Sequence, residues 1–134
     1  MKIRATVEKG SDGLFSVYSD AHLGMSYFGG FGDSVAKAKE DFITSVKEAI
    51  EEQQAEGLEA PAFEDIQIEY LYDAPSFFNF FDYFNVSKFA EYAGVNESKM
   101  RAYKSGSAHP GEKTMIKICN AAHKMAAELA AFTL

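Results

Sequence analysis

The chain has 134 residues, 47% of them hydrophobic, with 13 Lys and Arg against 20 Asp and Glu. That length and composition support a packed core and exclude a disordered chain. No apolar run is long enough to cross a bilayer, MKIRATVEKG lacks the apolar centre of a secretion signal, and the single Cys119 excludes an internal disulfide, so a cytoplasmic protein without a membrane partner is expected.

The net charge of -7 is unevenly placed. Residues 1–75 carry 6 Lys and Arg and 15 Asp and Glu, a balance of -9, whereas residues 76–134 carry 7 and 5, a balance of +2. Two domains are expected with that border, 1–75 and 76–134. Duplex DNA repels an acidic surface, so nucleic-acid binding is compatible only with the second half. The acidity of the first half suits either a basic partner or plain solubility.

In chain order, Ile3, Ala5 and Val7 alternate with Lys2, Arg4, Thr6 and Glu8, the period-two pattern of a half-buried strand. Ser11-Asp12-Gly13 signals a turn, and Phe15 and Val17 resume the alternation over Leu14–Tyr18 to complete a hairpin. Met25–Phe31, ending in Gly29-Gly30-Phe31-Gly32, predicts a third strand before a tight turn. The glycines match neither the dinucleotide fingerprint nor the lysine-containing phosphate loop. Asp33 or Ser34 then caps a helix whose apolar face is Val35, Ala38, Phe42, Val46, Ala49 and Ile50, with Gly57 and Pro61 as stops. Residues 58–64 form a loop, and Ile66, Ile68, Tyr70 and Tyr72 alternate in a fourth strand. The expected fold class is α+β: a β-β-β-α-β sheet domain with one helix over one face, followed by an all-α domain. Asp12 and Asp20 sit in or beside turns, where carboxylates serve local hydrogen bonds, and no cluster of carboxylates suggests a metal-dependent enzyme.

In the second half, residues 76–84 carry six aromatic rings in nine positions, and Ser76 after Pro75 is a reasonable helix start. Without interleaved Arg or Lys these rings suit a hydrophobic joint between the domains better than a base-stacking platform. Residues 86–105, VSKFAEYAGVNESKMRAYKS, have the spacing of a helix-turn-helix. Ala90 is small enough for two helix backbones to approach, and Gly94 accepts φ > 0 in the turn. Phe89, Ala93, Val95, Met100 and Tyr103 face a shared core, and Asn96 caps the second helix. Asn96, Glu97, Ser98, Lys99, Arg101 and Lys104 are the candidate DNA-binding residues: Asn and Arg suit base edges, Lys suits phosphates, and Glu97 requires a cytosine amino group. Some helix-turn-helix folds make only protein contacts, and that alternative stays open.

Glu112 to about Ala131 reads as one long helix with Met115, Ile118, Cys119, Ala122, Met125, Ala126 and Leu129 on its apolar face. Cys119 is therefore expected as a small core residue. His22, His109 and His123 are assigned no catalytic or metal role, and no cofactor, catalytic residue or metal site is expected.

Two sets of residues carry a resemblance. Tyr18-Ser19-Asp20 after the second strand, with Gly32-Asp33-Ser34-x-x-x-Ala38 opening the helix, resembles the HicB antitoxin family. Ala90, Gly94-Val95, Tyr103, Gly106 and the long final helix resemble the phage-repressor (XRE-like) helix-turn-helix of one branch of that family. The resemblance implies a reduced RNase H-like N-terminal domain that masks a HicA toxin, a small basic mRNA-cleaving protein. It also implies repression of the protein's own operon through the C-terminal domain. The implied partners are operator DNA, a basic HicA-like toxin and a second copy in a homodimer or higher assembly. An orphan transcriptional regulator without a toxin, and a protein-binding adaptor that never touches DNA, are the competing classes.

Overall fold

A computed structural model describes residues 1–134 and divides the chain into two units, Met1–Phe80 and Phe81–Leu134. The fold class is mixed α+β, with a four-stranded mixed sheet in the first unit. No helix is long and apolar enough to cross a membrane.

The first unit contains β1 (Lys2–Lys9), β2 (Phe15–Leu23), β3 (Ser26–Gly32), α1 (Val35–Ala55), β4 (Gln67–Tyr72) and α2 (Ala74–Phe80). The sheet order is β3-β2-β1-β4. β1, β2 and β3 are antiparallel neighbours, whereas β4 runs parallel to β1, which the long α1 crossover makes possible. Alternation decides the faces: Ile3, Ala5, Val7, Phe15, Val17 and Phe28 are buried beneath α1. From α1 the core receives Val35, Ala38, Phe42, Val46, Ala49 and Ile50, the six positions of its predicted face. Ser34 is the N-cap, its hydroxyl accepting from the Lys37 amide at 3.2 Å.

The glycines of β3 have a different cause from the tight turn expected of them. α1 lies so close to this strand that a Cβ on Gly32 would stand 2.7 Å from the Ala38 nitrogen, and one on Gly30 would enter the α1 backbone. β3 is also a sheet edge, a row of backbone groups open to pairing with another chain. Side chains of α1 close it. The Gly29 amide donates to Ser45 Oγ at 3.2 Å, the Phe31 amide to Asp41 Oδ2 at 2.9 Å, and the Ser26 hydroxyl to Glu52 Oε2 at 2.7 Å. Asp41, Ser45 and Glu52, four and seven residues apart, share one helix face, so the glycines that admit α1 also let it cap the edge.

α2 begins two residues before the predicted Ser76. Asp73, not Ser76, is its cap: Oδ1 accepts from the Ser76 amide at 2.9 Å, while Oδ2 accepts from the Lys9 amide at 3.0 Å. Pro75 then falls in the first turn, where its missing N–H costs nothing. The ring-rich segment is split, with Phe77, Phe78 and Phe80 in the first unit and Phe81, Tyr83 and Phe84 in the second.

The second unit contains α3 (Val86–Ala93), α4 (Glu97–Ser105) and α5 (Glu112–Ala131). Its buried residues are Phe89, Ala90, Met100, Ile118 and Ala121, with the Phe84 ring stacked on Phe89 at 4.9 Å. Two left-handed glycines end the short helices, Gly94 at φ 72° and Gly106 at φ 85°.

Candidate nucleic-acid interface

α3 and α4 are joined by three residues, Gly94-Val95-Asn96. Asn85 and Asn96 cap the two helices through matching bonds, each Oδ1 accepting from the amide three residues on at 3.0 Å. Gly94 reverses the chain, and its amide returns to the carbonyl of Glu91 at 3.2 Å. Met100 is fully buried, and Ala93, Val95 and Tyr103 are part-buried. Of the residues expected in the shared core, only Phe89 and Met100 are enclosed; Ala90 is enclosed as completely.

The burial of Met100 turns the rest of α4 outward. Asn96, Glu97, Ser98, Lys99, Arg101 and Lys104 are all exposed. Side chains one helical turn apart lie on one face, so Ser98 neighbours Arg101, and Lys104 follows it. The two acid–base partners inside this set are Glu97 and Arg101, an i,i+4 ion pair. Glu97 Oε1 also accepts from the Ser87 hydroxyl. The Ser87 hydrogen bond and then Arg101 hold the Glu97 carboxyl below the ordinary range, so it stays ionised near neutral pH. Lys99 and Lys104 enter no ion pair and are available for phosphate. An open groove of about 340 Å³ adjoins this end of α4, lined by Ser87, Lys88, Glu91, Val95 and Glu97.

No protein-family model, curated protein or solved structure matches this chain. The site therefore stands on its own chemistry.

α5 corrects the expected apolar face at three positions, Cys119, Ala126 and Leu129, all of them exposed. Cys119 is exposed, not a core residue, because the inward positions are Ile118 and Ala121, and 119 lies about 100° round the helix from 118. Its Sγ stands 3.9 Å from His123 Nδ1, so His123 does have a thiol neighbour. The Cys-x-x-x-His spacing on a helix is the signal that marks this pair in the sequence. No group of three or more His, Cys, Asp or Glu converges on one point. Leu129 and Phe132 are also exposed, at 59% and 60%.

A second feature escapes sequence reasoning. On the open face of the first unit's sheet, Tyr18, Tyr27 and Phe31 project to solvent at 44%, 69% and 71%, with Met25 at the adjoining turn at 96%. Tyr18 pairs across from Gly29, between Tyr27 and Phe31 on β3, so the three rings occupy one region of the sheet. Period-two patterning marks these positions as opposite to Val17 and Phe28, but the pattern does not say whether another element covers that face.

Proposed function

We propose that the protein is a DNA-binding antitoxin of the HicB type. Its acidic N-terminal unit covers a small basic RNA-cleaving partner, and its C-terminal unit represses the operon that encodes both. The carrying observation is the outward face of α4, where Asn96, Ser98, Lys99, Arg101 and Lys104 are exposed behind a helix locked by buried Met100 and the Gly94 turn. A helix held in this way by a partner helix presents its N-terminal residues to a major groove and its lysines to phosphates. The β-β-β-α-β order of the first unit supports the RNase H-like part of the proposal. The exposed rings of Tyr18, Tyr27 and Phe31, in a unit of strongly negative balance, support a partner that is basic and partly apolar.

The test is a mobility shift with the DNA upstream of the gene at two salt concentrations. A specific shift that weakens with salt is expected, as counterion release requires. Lys99→Glu with Arg101→Glu is expected to weaken binding at least about tenfold, since each removes a phosphate or base contact and adds a like charge. An unchanged shift in the double variant would remove α4 from the interface.

One observation favours a protein-contact module instead. Arg101 is already paired with Glu97, and in the adjoining groove Lys88 is paired with Glu91, so two of the cations at this end of the unit are neutralised before any phosphate approaches. Under that alternative the shift is absent even at low salt.

A DNA-binding unit of this size reads two half-sites as a dimer. Leu129 and Phe132, exposed near the end of α5, are the surface assigned to that pairing. Light scattering after size exclusion is expected to give a dimer at micromolar concentration, and Leu129→Asp with Phe132→Asp a monomer. A monomeric unsubstituted chain would count against the assignment.

A further inference from the structure

Lys39 of α1 occupies surroundings unusual for a lysine. Its Nζ lies 3.6 Å from the centroid of the Phe80 ring, 4.1 Å from Tyr70 and 4.9 Å from Tyr72. It also donates to the Tyr72 hydroxyl. The ion pairs of this unit are Lys2–Glu69, Arg4–Glu69 and Lys37–Asp33, and none includes Lys39. A surface lysine ordinarily lays its stem on apolar surface and keeps its ammonium in water. Here the ammonium itself is brought against the rings of Tyr70 and Phe80 and the hydroxyl end of Tyr72, from β4 and α2.

Two opposing effects act on it. Burial removes water from the charged form and lowers the amine to about 8. The ring faces attract a cation and return part of that loss. The two phenols stay neutral near pH 7, because burial raises both, Tyr72 to about 12. A site that is poorly hydrated yet attractive to cations is better suited to a methylated ammonium than to a plain one. Each methyl replaces an N–H that requires a partner with a group that requires none, and the positive charge remains.

We propose that Lys39 is a site of N-methylation, with the ring faces of Tyr70 and Phe80 holding the methylated ammonium and the Tyr72 hydroxyl accepting from its remaining N–H. The co-reactant is an electrophilic methyl donor of the sulfonium class. The ammonium first gives one proton to solvent, and the Nζ lone pair then attacks the methyl carbon. The C–N bond forms as the C–S bond breaks, its electron pair leaving with sulfur as a neutral thioether. The product is a methylammonium of unchanged charge. Acylation at the same nitrogen gives a neutral amide, which forfeits the attraction of both ring faces.

The amine is also prepared for the reaction. Burial lowers its pKa, so a larger fraction is neutral at pH 7 than of an exposed lysine. Lower basicity and partial burial take back much of that advantage.

The test uses the full chain and limiting formaldehyde with a borane reductant at pH 7, a chemical source of N-methyl groups, followed by peptide mass mapping. Lys39 is expected to be methylated about tenfold ahead of the exposed Lys37 and Lys47 of the same helix. Thermal melts of fully methylated and fully acetylated protein then separate cage from nucleophile, with Lys39→Arg treated identically to subtract the other lysines. After subtraction, methylation is expected to raise Tm by about 2–4 °C and acetylation to lower it. Tyr70→Leu is expected to erase the methylation gain. Labelling of Lys39 no faster than Lys37, or a methylated chain that melts at or below the unmodified one, would overturn the proposal.

Discussion

Gly30→Ala is expected to destabilise the first unit by about 3 kcal/mol or more, the upper end of overpacking, because the clash is with backbone. The added Cβ would stand 2.5 Å from the Ala38 carbonyl oxygen and 2.8 Å from the Phe42 Cα, and nearer still to the Phe42 nitrogen. Those atoms belong to the middle of a helix whose buried face, Ala38, Phe42 and Val46, is fully enclosed. Relief requires α1 to lift from the sheet, which opens the core and breaks the bonds from Gly29 and Phe31 to Ser45 and Asp41. The neighbouring Gly29→Ala is the control, since its Cβ meets only the Val17 carbonyl at 3.9 Å, and it is expected to change stability by less than about 0.5 kcal/mol. The chain has no tryptophan, so urea titration followed by far-UV circular dichroism is the suitable measurement. Equal midpoints for the two variants would contradict the close approach of α1 and β3.

Met100→Ala is expected to leave the second unit largely unfolded at 25 °C. Met100 is fully buried, and truncating such a side chain costs about 2–5 kcal/mol through lost transfer energy and the cavity left behind. The unit encloses only Phe89, Ala90, Ile118 and Ala121 besides Met100. A core of that size supplies about 3–5 kcal/mol, so the loss is comparable with the whole. Backbone amide resonances of residues 81–134 are expected to collapse into the unfolded range while those of 1–80 stay dispersed. Met100→Leu, which conserves volume, is expected to cost less than about 1.5 kcal/mol and to keep the fold. Loss of DNA binding in Met100→Ala but not in Met100→Leu would tie the interface to this core residue without altering any exposed side chain of α4.

How legible the molecule is from its sequence depends on which force acts at each position. The inward face of α1 is readable in full, since Val35, Ala38, Phe42, Val46, Ala49 and Ile50 recur at helical spacing and apolar burial outweighs every other influence there. Caps are readable where a side chain bonds an amide three residues on, as at Ser34 and Asn96. The cap of α2 obeys the same rule, Asp73 accepting from the Ser76 amide, whereas its second bond, from the Lys9 amide 64 positions away, leaves no local trace. The exposure of Cys119 is hidden for a related reason. α5 has apolar residues on more than one side, so periodicity allows several inward faces, and the helices packed against it select Ile118 and Ala121.

The same division holds for the candidate sites. Local chemistry in the sequence determined the elements of α3 and α4, their asparagine caps, the Gly94 turn and the polar set that α4 presents, because all of these act within a few residues. Only the tertiary structure decided that GGFG in β3 admits a helix backbone, that Tyr18, Tyr27 and Phe31 share one open face, and that Lys39 is surrounded by Tyr70, Tyr72 and Phe80. These last features join residues up to 41 positions apart, Lys39 and Phe80. Their energies are those of close packing and desolvation, which depend on distance in space and have no period along the chain.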